Sequence, residues 1–196
     1  NTWWPEASIT NEEQATIIRQ YGSLIVADAH KKRLNVTLDR SQTTQARAIA
    51  RVLGRGYPEL VEARIALNAG TSGVDTALGR VPPYLQNDPG LALERLRWRR
   101  QKNMDFRAIE MLHQMPNLDH VANPEDWWKE RHILARRLIE KKQFKSAYLL
   151  VEKHGTKAGV PFAEAEFLAG FLALRFLNKP DAAFVHFEKL YHGTTT

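Results

Sequence analysis

The stretch PFAEAEFLAGFLALRFLNKPDAAFVHF (161–187) decides the fold. From Phe162 to Leu177 the residues are apolar around the whole circumference of a helix, interrupted only by Glu164, Glu166 and Arg175. A helix apolar on every side is expected to be buried against several neighbours. Sixteen residues climb only about 24 Å and three charges interrupt them, so the stretch falls short of a membrane span. Gly170 costs about 1 kcal/mol against alanine in mid-helix unless a neighbour comes close. Ala173 on its own face and Ala182 and Ala183 on the returning segment are small, so Gly170 is predicted to be a close-contact point. Lys179-Pro180-Asp181 breaks the helix and a second amphipathic helix follows at once, which makes a helical hairpin.

Upstream the same unit recurs. DFRAIEML (105–112), FKSAYLLVEKHG (144–155) and DAAFVHFEKLYHG (181–193) each read as the second helix of a hairpin. Each carries a small residue at the expected crossing, Ala108, Ala147 and Ala183, at spacings of 39 and 36 residues. Helix pairs repeating every 34–47 residues indicate an α-solenoid. The predicted fold is therefore all-α, a right-handed superhelix of stacked hairpins similar to tetratricopeptide repeats, forming one helical domain over residues 1–196. No alternating apolar run bounded by hairpin turns argues for a strand.

The N-terminal half continues the pattern. Asn11 or Thr10 caps a first helix with Ile17, Ile18 and Tyr21 on its apolar face, and Gly22 ends it. A second helix is expected over about 24–36, with His30-Lys31-Lys32-Arg33 read as a solvated turn of helix surface rather than a phosphate patch. Ser41 is expected to cap the third, and Gly54-Arg55-Gly56 leads into a fourth over 57–68. Ala69-Gly70-Thr71-Ser72-Gly73 lacks the preceding strand and the Gly-Lys-Ser/Thr of a phosphate loop, so it reads as a turn. A short helix covers 74–79, Val81-Pro82-Pro83-Tyr84 breaks the chain, and Asp88 caps a helix with Pro89 at its first position. In that helix Arg95-Leu96-Arg97-Trp98-Arg99-Arg100 suggests a nucleic-acid face. Two apolar stripes on opposite sides favour instead a sandwiched helix with arginines at the seams.

The chain of 196 residues can bury a substantial core, and its 43% hydrophobic and 26% charged residues are ordinary globular usage. It contains no cysteine, hence no disulfide and no thiolate metal site. A net charge of +6 favours an anionic partner, whether nucleic acid, acidic lipid or a carboxylate-bearing polymer, although such an excess is also common on soluble surfaces. Asn1-Thr2-Trp3-Trp4-Pro5 is not a signal peptide and looks like a fragment whose start is missing.

No residue qualifies as catalytic, cofactor-binding or metal-ligating. Glu164 and Glu166 are tempting in so apolar a helix, but they project about 160° apart and cannot act on one bond. They read as buried partners of helix ends or arginines, and Arg175 has the same buried reading. His113, His120, His132, His154, His186 and His192 are scattered without a His-Glu-x-x-His spacing. Trp127-Trp128 could stack on a sugar ring; packing at a helix start is the preferred reading.

EAEFLAGFLALRFL (164–177) and AAFVHFEKLYHGTTT (182–196), joined by a short proline turn, resemble the helical U-domain of soluble lytic murein transglycosylases, which cleave peptidoglycan glycan strands in the periplasm. Members often carry tryptophan at the positions of Phe167 and Phe171, where this chain keeps an aromatic. The resemblance extends through WWKERHILARRLIEKKQFKSAYLLVEKHG (127–155) and DPGLALERLRWRRQKNMDFRAIEML (88–112), and more weakly through EARIALNAGTSGVDTALGRVPPYLQ (62–86). It implies a non-catalytic scaffold that positions a catalytic domain lying beyond Thr196 and contacts glycan strands, with no cofactor. The family's catalytic glutamate is followed by serine, with Gly-Leu-Met-Gln downstream. Neither motif occurs here, and Gln114-Met115-Pro116 does not replace the second. The competing readings are a free-standing helical-repeat adaptor for a protein or peptide and a basic RNA-binding solenoid.

Overall fold

The computed structural model describes residues 3–114 and 123–194. These residues are all-helical, with no strand among them. The α-helices are α1 (Asn11–Tyr21), α2 (Ala27–Asp39), α3 (Thr43–Leu53), α4 (Tyr57–Ala69), α5 (Val74–Arg80), α6 (Pro89–Gln101), α7 (Asp105–Gln114), α8 (Pro124–Glu140), α9 (Phe144–Val151), α10 (Gly159–Arg175) and α11 (Pro180–Thr194). Among the described residues no helix is long and apolar enough to cross a membrane. The chain divides into two compact units, Asn1–Arg95 and Leu96–Thr196, and the division falls within α6.

Three helix-to-helix turns are built alike. Ser41, Asn103 and Lys142 follow α2, α6 and α8 in left-handed conformation, with φ of 57°, 57° and 58°. Each amide donates to the carbonyl three residues back, and the next amide donates to the carbonyl five back, as in Gln42→Thr37 at 2.8 Å and Gln143→Leu138 at 2.9 Å. These paired bonds satisfy helix-end carbonyls that would otherwise lack a donor. After α10 the turn is one residue longer: Asn178 is left-handed (φ 52°) and the Lys179 amide reaches the Ala173 carbonyl at 2.9 Å. Five residues past each left-handed residue stands a fully buried alanine, at 46, 108, 147 and 183. The small residues expected at 108, 147 and 183 are thus parts of a recurring turn, and Ala46 is a fourth. Ser41 closes α2; the residue that caps α3 is Gln42.

In the first unit Trp4, Leu34, Leu38, Ala46, Ile49 and Val61 form the core. Thr10 caps α1 reciprocally with Glu13. The basic run in α2 is not a solvated turn throughout, because only Lys31 and Lys32 face water while His30 and Arg33 are buried. One turn of helix points to two sides, and Arg33 finds enough acceptors inside. Its guanidinium donates to Gln14 Oε1 (2.8 Å), Gln45 Oε1 (3.1 Å) and the carbonyls of Trp4 (2.9 Å) and Ala7 (3.0 Å), with the Trp4 ring 4.5 Å away. Arg64 of α4 grips Glu94 of α6 with two 2.9 Å bonds and Asn35 of α2 at 2.6 Å. Burial raises the pKa of Glu94, and Arg64 opposes that rise. Gly90 leaves the space the Arg64 guanidinium fills, since a Cβ there would lie 2.6 Å from it. Gly70 and Gly73, both left-handed, make the predicted turn between α4 and α5.

In the second unit the α6 arginines lie at a seam. Arg100 makes a two-bond pair with Glu130 of α8, Arg97 reaches Asp126 at 3.5 Å, and Arg137 of α8 donates to Asp105 of α7 at 2.5 Å. Trp127 and Trp128 are buried in the packing of α8, as expected. Arg131, also buried, donates to the Leu150 carbonyl at 2.9 Å and so supplies a donor to the C-terminal end of α9; burial lowers its pKa to about 10. The all-round burial expected for α10 is not observed. Ala165, Glu166, Ala169, Gly170, Leu172 and Ala173 are buried, whereas Phe167, Phe171 and Leu174 stand 55%, 41% and 54% exposed. The small residues form the contact face because they let neighbouring helices approach closely. Arg175 is exposed in the last turn rather than buried with a partner.

Candidate functional site

Glu166 projects from the small-residue face of α10 and collects polar groups from two other segments. His154, just past α9, places Nε2 3.1 Å from Glu166 Oε1. His186 of α11 places Nδ1 2.5 Å from Oε2. The carboxylate is 3% exposed, and the Lys189 ammonium stands 3.9 Å from Oε1. Behind the imidazoles lies a second layer of polar groups. His154 Nδ1 meets Thr156 Oγ1 at 2.6 Å and the Thr156 amide at 3.2 Å, while His186 Nε2 faces the Tyr148 hydroxyl at 3.2 Å. Burial pushes the Glu166 pKa up, but the bonds from His154 and His186 and their charge outweigh it and hold the carboxyl at about 2.

A carboxyl with a pKa of about 2 is ionised at neutral pH, and a general acid for glycan cleavage needs a raised one. Glu166 therefore acts as a fixed anion that organises two imidazoles. The expected partners of Glu166, helix ends or arginines, are replaced by histidines that lie 12 and 20 residues away in sequence. Glu164 is half-exposed, contrary to its expected burial, and accepts the Trp128 indole N–H at 3.1 Å. His132 stacks on Trp128, with centroids 5.1 Å apart and planes 14° apart. Burial lowers the His132 pKa, with Glu164 opposing.

Of the scattered histidines the fold thus brings His154 and His186 together and sets His132 beside Glu164. His113 is exposed at the end of α7, and His192 packs against Tyr191. His120, Met115 and Pro116 lie outside the described residues. Among the described residues no group of three histidine or carboxylate side chains could hold a metal ion. Helical periodicity carried no signal for the Glu166 cluster, because its members sit on three segments. A carboxylate on an otherwise apolar face was the one available hint. Compared with protein-family models, with curated proteins and with solved structures, the chain matches none.

Proposed function

We propose that this chain is a non-catalytic superhelical scaffold segment of a periplasmic peptidoglycan lytic transglycosylase, which positions a catalytic domain in cis and contacts glycan strands during cell-wall turnover. The observation that carries the reading is the recurring hairpin. The same capped turn, with a buried alanine five residues on, recurs through the segments that resemble the family's helical U-domain. Units of that kind stack by burying one another's faces, which supports a right-handed, tetratricopeptide-like superhelix. The net charge of +6 suits a polymer bearing carboxylates.

The test is co-sedimentation with purified sacculi across a salt series, with release of anhydro-muropeptides followed in parallel. Binding that weakens with salt, without release, is expected. No binding at low salt, or release abolished by Glu164→Gln, would overturn the reading. A second reading, a helical-repeat adaptor for a protein or peptide, is favoured by the exposed Phe167, Phe171, Leu174 and Phe184. It requires that replacing Phe167 and Phe171 by serine abolish capture of that partner while sacculus binding is absent throughout.

A further inference from the structure

The exposed flank of α10 carries an ordered seam of apolar side chains. Phe167, Phe171 and Leu174 stand 55%, 41% and 54% exposed at i, i+4 and i+7, the spacing that lines up side chains along one side of a helix. Their rings are braced in series. Phe167 and Phe171 lie 11° from parallel with centroids 6.3 Å apart, and Phe171 meets Phe176 edge-on at 5.6 Å. Phe176 stacks on Phe144 of α9 at 3.9 Å, and Phe187 of α11 joins the other end, 6.3 Å from Phe167. Rings already held by one another lose little freedom when a partner covers them. The preceding hairpin shows what such a surface receives. Tyr148 stands one residue past the crossing alanine of α9 and is buried, edge-on to His186 of α11 at 5.9 Å. Phe184 stands one residue past the crossing alanine of α11 and is 66% exposed. A position covered by a helix pair in one hairpin is bare in the next.

We propose that a second copy of this chain covers this face, its α10 lying antiparallel to the first about a two-fold axis midway between Glu164 and Arg175. Those two charges fix the direction. Eleven residues apart, they differ by three turns and about 20°, so they stand on one edge of the seam about 16 Å from each other. Arg175 is exposed and makes no ion pair among the described residues, and the Glu164 side chain is 48% exposed. Parallel pairing would set Glu164 on Glu164 and Arg175 on Arg175. Antiparallel pairing sets each Glu164 opposite the partner's Arg175, twice by symmetry, and brings Phe167 beside the partner's Phe171. The area suffices. Phe167, Phe171, Leu174, Phe176 and Phe184 leave roughly 500 Å² in water, taking about 200 Å² for a whole aromatic side chain. A standard interface covers about 800 Å² per partner, of which about 60% is apolar. Because both copies use the same patch, the contact closes at two.

Analytical ultracentrifugation of the full chain from about 1 to about 200 µM tests this, the weak end of the range open to such an interface. A reversible species of twice the 22.4 kDa chain mass is expected. Phe171→Ser, at an exposed ring, should raise the dissociation constant at least about tenfold, as loss of an interface anchor does. Arg175→Glu and Glu164→Lys should each dimerise more weakly than the unaltered chain. An equimolar mixture of the two should recover association, since each variant repels itself and complements the other. A monomer throughout overturns the proposal and leaves the face to a protein or peptide partner. A dimer indifferent to Phe171→Ser, growth beyond two, or a mixture no tighter than its components overturns it as well. Glu164→Lys removes the acceptor of the Trp128 indole. Should that variant not fold, Arg175→Gln decides by sign. Losing an attraction weakens the antiparallel dimer, whereas relief of repulsion would tighten a parallel one and overturn the proposal.

Discussion

Arg33 and Glu166 bury their charges by opposite means. Arg33 relies on four neutral oxygens, and among the described residues it makes no ion pair. Removing it strands those acceptors, each worth about 1–3 kcal/mol. Arg33→Met should therefore lower stability by at least about 3 kcal/mol, read as an earlier denaturant midpoint at unchanged slope. Glu166 relies on two charge-assisted donors. Its folded pKa of about 2 lies below the ordinary carboxylate value, so its contribution is complete above about pH 4.5 and is lost as pH falls toward 2. Glu166→Gln should cost about 1.5–3 kcal/mol at pH 7 and much less near pH 2, flattening the acid limb of the stability profile. Gly170 behaves as its sequence context foretold, but against another neighbour. A Cβ there would lie 2.7 Å from Cε1 of Phe187 rather than meeting Ala182 or Ala183. Phe187 also packs on Phe167, so the ring can give way only by disturbing a second one. Gly170→Ala should destabilise despite alanine's better helix propensity, and a later urea midpoint would refute that packing.

At the scale of the element, the capped turn separates backbone from side chain. Serine, asparagine and lysine all occupy the left-handed position, at a cost of roughly 1–2 kcal/mol that glycine does not bear. Lys142→Gly should accordingly raise the thermal midpoint, by up to about 1 kcal/mol of stability once glycine's unfolded-state entropy is deducted. The alanine five residues on has no such latitude. Ala147→Leu should cost about 1–3 kcal/mol or more by overpacking, and full thermal stability in that variant would show the crossing to be loose. Three of these turns were legible in sequence because Ala108, Ala147 and Ala183 recur 39 and 36 residues apart, whereas Ala46, 62 residues before Ala108, fell outside that spacing. The side of α10 that packs was not legible. Hydropathy ranks Phe167 and Phe171 above Ala165 and Ala169, whereas close helix approach selects the alanines.

For the molecule as a whole, the recurring helix pattern foretold the all-helical architecture of the described residues, but the sequence reading misplaced part of the charge. Arg33, which reads as solvated surface in the sequence, holds helices together from inside, because a guanidinium can donate to several carbonyl and side-chain amide oxygens at once. The buried Arg64–Glu94 pair is screened far less than an exposed one. Stability should therefore change by less than about 1 kcal/mol between 0.1 and 1 M NaCl, and a strong salt dependence of the urea midpoint would place the decisive pairs at the surface instead. The recurring turns have a practical consequence as well. Residues 41, 103, 142 and 178 are exposed, are all left-handed and sit in a chain without cysteine. Single cysteines introduced there in pairs would carry spin labels on mounts with the same sign of φ. The separations between 103, 142 and 178 would then measure the rise and rotation from one hairpin to the next in solution.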